Sequence, residues 1–250
     1  MIKFAFSKPS GNEADTETLF SQFNSLGYNG LQLKAGQYMP FLDNPQGFID
    51  RYGQYPGAAS ALICWCPLDD QGRQLLKNIC SFGSTVNSEM IVFCHNAPRE
   101  GVTHEMLREY AKDISEIGKI SRDAGLFFSL HNHYDQPVMY RNDIEVFFDA
   151  VDDEAVGLTI DTAHLVKSGE QDIAGIIRQF SRIINNYHLK DIDDGEFKVL
   201  GTASIDFDPV FSAIKDTGYS GWVSTDEESG ADMLEAMQHC ISFMKKGFDR

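Results

Sequence analysis

The chain has 250 residues and a formal charge of −16, with 37 Asp and Glu against 21 Lys and Arg. Its length suits one large domain, and 42% hydrophobic with 23% charged residues describes a soluble globular protein rather than a disordered one. The acidic balance argues against a nucleic-acid partner, which needs Lys and Arg to displace counterions from phosphates. No stretch reaches the roughly 20 apolar residues of a membrane span, and no basic leader with an apolar run opens the chain. Cys64, Cys66, Cys80, Cys94 and Cys240 are odd in number and irregularly spaced. They read as buried, reduced thiols and point to a reducing cytoplasm.

In chain order, short apolar runs occupy residues 2–6, 30–34, 60–65, 90–94, 126–131, 157–161, 183–189 and 222–226. Each is followed by polar or turn residues, as expected of buried parallel strands. Amphipathic segments separate them. In the clearest, residues 103–124, Thr103 can cap the start and Glu105 favours the first turn. Leu107, Tyr110, Ile114, Ile117 and Ser121 form its stripe, flanked by Met106 and Ala111, and Gly125 ends it. Residues 191–206 exceed an ordinary connection, which marks a functional loop. Asp208-Pro209 opens a helix with a cap and a proline in its first turn, and Phe211 and Ile214 give it a buried face. The last helix begins near Ala231, and its stripe of Met233, Met237, Ile241 and Met244 reads as core. Strand–helix alternation with no G-x-G-x-x-G after the first strand predicts an α/β fold, a single-domain (β/α)8 TIM barrel over residues 1–250, rather than a dinucleotide-binding sheet.

His131, Asp161, His188 and Asp226 stand at the C-terminal ends of four predicted strands, about one βα unit apart. In a closed barrel this places two imidazoles and two carboxylates around the rim where barrel active sites lie. The set suits one divalent metal ion, such as Mn, Zn, Co or Fe, better than Ca, with Mg left open. In Ser129-Leu130-His131-Asn132-His133 the two histidines share a strand face. In Asp161-Thr162-Ala163-His164 a histidine follows the acid by one turn. In His188-Leu189-Lys190-Asp191, His188 and Lys190 share a face. Asp191, Asp193 and Asp194 are nearby carboxylates that could steady a ligating imidazole.

These strings resemble the xylose-isomerase-like barrel superfamily of sugar phosphate isomerases and epimerases. The resemblance covers nearly the whole chain and is strongest over residues 126–228. Asp161-Thr162-Ala163-His164 resembles the Asp-x-x-His element of that family, and His188-Leu189-Lys190-Asp191 its His-x-Lys-Asp element. Gly218-Tyr219-Ser220-Gly221-Trp222 resembles the approach to its last metal ligand. Leu200-Gly201, followed by Ile205-Asp206-Phe207, resembles its loop before the seventh helix. The chain departs from family epimerases at three strands. His131 stands where they place Glu, as in variants similar to inosose dehydratase. Asp226 stands where they place a second Glu, with Glu228 as an alternative ligand two residues on. Gln32 occupies a second-strand position that often carries an acid.

The resemblance implies a metal-dependent isomerase or epimerase of a sugar or sugar phosphate working through a metal-stabilised enediolate. A metal-dependent lyase or dehydratase of a keto sugar or inosose is the alternative, because His131 breaks the symmetric pair of carboxylate bases. A non-catalytic sugar-binding barrel is a second alternative. An apurinic endonuclease shares this barrel, but its chemistry needs three metals and a basic surface. Asp226 or Glu228 is the expected base. His164 and Lys190 are expected to give protons or hold substrate, and His133, His95, Gln32 and Trp65 to bind substrate. Tyr38, Phe41, Trp65 and Tyr134 suggest a partly apolar substrate face. The expected partners are a small sugar-like substrate and, by the resemblance, further copies of the chain in a homo-oligomer.

Overall fold

The computed structural model describes residues 1–249. Its strands are β1 (Ile2–Ser7), β2 (Gly30–Leu33), β3 (Ala61–Cys66), β4 (Met90–His95), β5 (Phe127–His131), β6 (Gly157–Asp161), β7 (Ile184–Leu189), β8 (Asp191–Asp193), β9 (Glu196–Lys198) and β10 (Gly221–Asp226). All but β8 and β9 pair in parallel and close into a barrel in the order β1-β10-β7-β6-β5-β4-β3-β2. The eight apolar runs are therefore the barrel strands. β8 and β9 form an antiparallel hairpin directly after β7, inside the stretch expected to be a long functional loop.

Strand alternation sorts the side chains. On β4, Ile91 and Phe93 join the large core between barrel wall and helices. Met90, Val92 and Cys94 form a separate cluster with Ala61 and Ile63. Much of the middle of the barrel is polar. Gln32, Ser129, Thr159, Asn186 and Ser224 are all buried, where barrels of this kind mostly pack branched aliphatic residues.

The helices follow their sequence signals closely. Thr103 Oγ1 accepts from the Met106 amide at 3.2 Å and caps helix His104–Asp123. Leu107, Ala111, Ile114, Ile117 and Ser121 are its buried stripe, and Gly125 follows at φ 82°. Helix Asp208–Asp216 starts one residue earlier than read, so Phe207 and not Asp208 occupies the cap. Asp232 caps helix Met233–Phe248, accepting from the Leu234 and Glu235 amides. Its Met233, Met237, Ile241 and Met244 are core. All five cysteines are buried and unbridged. No helix among the described residues is long and apolar enough to cross a membrane.

Gly118 sits where helix His104–Asp123 passes the backbone ahead of β6, and an added Cβ would collide with the Ala155 carbonyl oxygen. Gly118→Ala should therefore cost about 1–3 kcal/mol of stability despite the better helix propensity of alanine. Urea unfolding of the variant beside the parent checks this; equal or greater stability would show that the helix can move away freely.

Candidate metal centre

The parallel register sets Asp161 beside His188 and Ser7 beside Asp226, so these strand ends share one rim. There His131, Asp161, His188 and Asp226, all buried, bring one donor atom each within 4.8 Å of one another. His131 Nε2 lies 3.1 Å from His188 Nδ1 and 3.6 Å from Asp161 Oδ2. His188 Nδ1 lies 3.9 Å from Asp226 Oδ2. Asp161 divides its two oxygens. Oδ1 accepts from the His164 amide at 3.0 Å and caps helix Thr162–Lys167. Oδ2 faces the cluster with no hydrogen-bond partner. A buried carboxylate oxygen without a partner is costly, and two imidazoles with two carboxylates form a donor set that could hold one divalent cation.

A second layer of charge surrounds the donors. Lys190 Nζ lies 2.7 Å from both Asp226 Oδ2 and Glu228 Oε2, and 3.9 Å from Asp161 Oδ2. Lys34 Nζ lies 2.6 Å from Asp226 Oδ1 and 2.9 Å from Glu228 Oε1. Burial opposes both ammonium charges, but the carboxylates outweigh it and raise both lysine pKa values. Burial likewise opposes the charge on Asp226, yet Lys190 and Lys34 hold its carboxyl well below the usual range. Asp161 is lowered too, against burial, by the surrounding imidazoles and the Lys190 ammonium.

The opposite flank is built of imidazoles. The rings of His133 and His164 lie 3.8 Å apart, and His131 is 5.7 and 5.6 Å from them. His133 Nδ1 donates to the Tyr134 carbonyl at 2.7 Å, which leaves its Nε2 with a lone pair. His164 Nδ1 accepts from the Tyr134 amide at 3.3 Å, so its Nε2 carries the proton. Burial lowers His133 to about 4 and His164 well below its ordinary value, so both rings are neutral at pH 7. Burial also opposes a charge on His131, but Cys94 and Asp161 beside it raise that ring to about 10. The hairpin roofs the site: Phe197 lies 4.3 Å from Lys190 Nζ and 5.3 Å from the His164 ring.

The residues read from the sequence thus divide. His131, Asp161, His188 and Asp226 converge, with His133, His164, Lys190 and Glu228 around them. Trp65 is 49% exposed and sets its ring edge-on to His133 at 4.7 Å. Gln32 does not line the mouth as expected of a substrate contact. It is 1% exposed and lies beneath His188, whose Nε2 is 2.8 Å from Gln32 Oε1. His95 does not join the cluster either. Alternation along β4 turns Cys94 inward toward His131 and His95 outward onto Tyr110, with ring centroids 4.9 Å apart. Tyr38 is core rather than substrate face, its hydroxyl donating to the Ile63 carbonyl. Asp191 steadies no imidazole. Its carboxylate accepts from the amides of Ile192, Gly201, Ala203 and Ile205 at 2.9–3.2 Å and ties down the loop carrying Phe197. Lys34 belongs to none of the sequence motifs, although it stands two residues after Gln32 at a strand end.

The family profile described as "Xylose isomerase-like TIM barrel" matches residues 20–246. Inosose dehydratase of Clostridium tetani (strain Massachusetts / E88) is 28% identical over 162 residues, 57% of this chain and 54% of that protein. The chain thus spans about half the length of such curated relatives. Among solved structures, L-ribulose 3-epimerase superposes with a TM-score of 0.83 at 15% identity, covering 100% of this chain and 95% of that one. The IOLI protein, solved with a binding zinc atom, gives 0.80 at 18% identity, covering 99% and 98%. At such identities these structures share the fold.

Two outcomes follow from the geometry. Asp191→Ala should speed amide hydrogen exchange across residues 192–205 at least tenfold and leave the barrel strands protected; unchanged exchange would remove its tethering role. Burial holds His95 at about 4, below the 6.5 of an exposed ring. Between those values the unfolded chain takes up a proton that the folded one refuses, so stability falls as pH drops through that window. His95→Phe should flatten the fall between pH 7 and pH 5 in denaturant titrations, and an unchanged slope would refute the assignment.

Proposed function

Because the chain belongs to the xylose isomerase-like TIM-barrel family, we propose that it is a metal-dependent lyase that eliminates a β-hydroxyl or β-alkoxy group from a keto sugar or inosose. One observation carries this reading: among the described residues, the one carboxylate placed beside the four-donor cluster without belonging to it, Glu228, stands with Lys34 and Lys190, whereas the groups beside His131 are the imidazoles of His133 and His164. His131, Asp161, His188 and Asp226 would hold the cation. When bound, it supplies Lewis-acid stabilisation for negative charge developing on a substrate carbonyl oxygen.

The surrounding residues supply the rest. Glu228 is the carboxylate outside the donor set, with a side chain 32% exposed to the mouth. It takes the carbon-bound proton beside the carbonyl. The electron pair of that C–H bond forms a double bond as the neighbouring C–O bond breaks. Glu228 then returns its proton to the departing oxygen on the same face, so enone and water or alcohol leave and the enzyme is regenerated. Lys190 donates to the oxygen that gains charge. His164 Nε2–H and the His133 Nε2 lone pair orient substrate hydroxyls, and Phe197 above Lys190 limits water. Trp65 offers an apolar face to the C–H side of a sugar ring. The kinship with inosose dehydratases supports this order of preference.

A metal-dependent isomerase or epimerase is the second reading, and the barrel shared with L-ribulose 3-epimerase favours it. It needs a second base opposite Glu228, and the unprotonated Nε2 of His133 is the group available.

Keto sugars and inososes incubated with metal-loaded protein in deuterated water separate the two. The lyase yields a new ultraviolet-absorbing enone. The isomerase yields deuterated isomer without a new chromophore. Neither product from any substrate would sink both. The metal content should be about one ion per chain in the parent and should fall sharply in Asp161→Ala.

A further inference from the structure

The barrel interior below the donor cluster holds a continuous chain of polar side chains that no substrate can reach. His188 presents Nδ1 to the cluster, 3.1 Å from His131 Nε2, and Nε2 to Gln32 Oε1 at 2.8 Å. Gln32 Nε2 donates to Asn186 Oδ1 at 2.8 Å, and Asn186 Nδ2 donates back to Gln32 Oε1 at 3.2 Å. Asn186 Nδ2 is also 3.2 Å from Thr159 Oγ1. Thr159 Oγ1 lies 2.5 Å from Ser129 Oγ, which donates to Asn185 Oδ1 at 2.6 Å. Gln32, Asn186, Thr159 and Ser129 are at most 1% exposed.

Asn185 turns its NH₂ to the Phe128 carbonyl at 3.5 Å and so its oxygen to Ser129, and from that end one set of hydrogen directions satisfies the chain. Ser129 spends its proton on Asn185, so it must accept from the Thr159 hydroxyl. Thr159 then accepts from the Asn186 amide, and Asn186 turns its oxygen to the Gln32 NH₂. Gln32 is left showing oxygen, not nitrogen, to His188. An oxygen there selects the Nε2–H tautomer of His188 and leaves the Nδ1 lone pair aimed at the donors. A flipped Gln32 amide would set NH₂ against that N–H and break the pair with Asn186.

We propose that Gln32 is a positioning residue: anchored by Asn186, it holds His188 in the Nε2–H tautomer so that Nδ1 is the nitrogen offered to a cation. This rests on the reading of the four donors as a metal centre and replaces the substrate contact expected of Gln32. A neutral amide does this without adding charge beneath two buried carboxylates. Outer-shell partners of this kind typically change metal affinity by about 10- to 100-fold.

The test uses Gln32→Met, which keeps the volume and removes the acceptor, and Gln32→Glu, which keeps an acceptor. Long-range ¹H–¹⁵N NMR of the metal-stripped proteins reads the His188 tautomer, and titration with Zn²⁺ against a chromophoric chelator reads affinity. The parent should show a single Nε2–H tautomer. Gln32→Met should lose it and bind Zn²⁺ about 10- to 100-fold more weakly, with Gln32→Glu recovering both to within a few-fold. A core-packing role alone would move the melting temperature and neither of these. An Nδ1–H tautomer in the parent, or parent-like Zn²⁺ binding by a folded Gln32→Met, overturns the proposal. If Gln32→Met does not fold, the parent spectrum and Gln32→Glu decide it. A parent that binds no Zn²⁺ but shows the Nε2–H form removes the metal centre and keeps the hold of Gln32 on His188.

Discussion

Asp161 and Asp226 are buried carboxylates at the mouth of a barrel, and the surrounding architecture answers the cost of keeping them charged. A carboxylate taken out of water must be paired and hydrogen-bonded or it gives up its charge. Asp161 meets this on one oxygen with the amide of a helix N-terminus, while the other faces His131 Nε2 at 3.6 Å without a hydrogen bond. Asp226 meets it with two ammonium groups, from just after β7 and from just after β2. Those lysines also fix Glu228. Removal of either lysine would leave carboxylates crowded together in a poorly solvated site.

The same constraint explains why the site has two unlike flanks. Lys34 and Lys190 serve carboxylates, so acids gather on their side. The imidazoles gather where the chain supplies backbone partners instead of counter-charges, and Tyr134 uses both its carbonyl and its amide for His133 and His164. Neutral rings with defined tautomers face paired charges across the cluster.

Beneath the cluster the barrel gives up part of the usual aliphatic filling for a hydrogen-bonded polar layer. Such a layer is tolerable only when every member is satisfied, and the chain from Gln32 to Asn185 meets that condition in one orientation. Above the cluster, Asp191 performs a comparable task for the hairpin loop, gathering backbone amides that would otherwise lack partners. The donors are thus held from below by side-chain direction and from above by a tethered loop.

The strands and the convergence of His131, Asp161, His188 and Asp226 were legible in the linear sequence. Runs bounded by turn residues report buried parallel strands, and barrel closure brings their ends together by topology alone. Local signals also placed the start of helix His104–Asp123 and the core stripe of helix Met233–Phe248. What the sequence could not report was direction across the barrel. His95 and Cys94 are adjacent, and only the packed strand shows which faces His131. Gln32 and Lys34 share a face, and only three-dimensional depth separates a buried support for His188 from a lysine at the mouth. Asp191 follows a metal-ligand motif, yet its partners come from residues 192 to 205, folded back by a hairpin. Spacing along the chain determined which residues reach the rim. Their facing, their depth and the partner each imidazole nitrogen takes depend on contacts between strands distant in sequence, and only the closed barrel decides those.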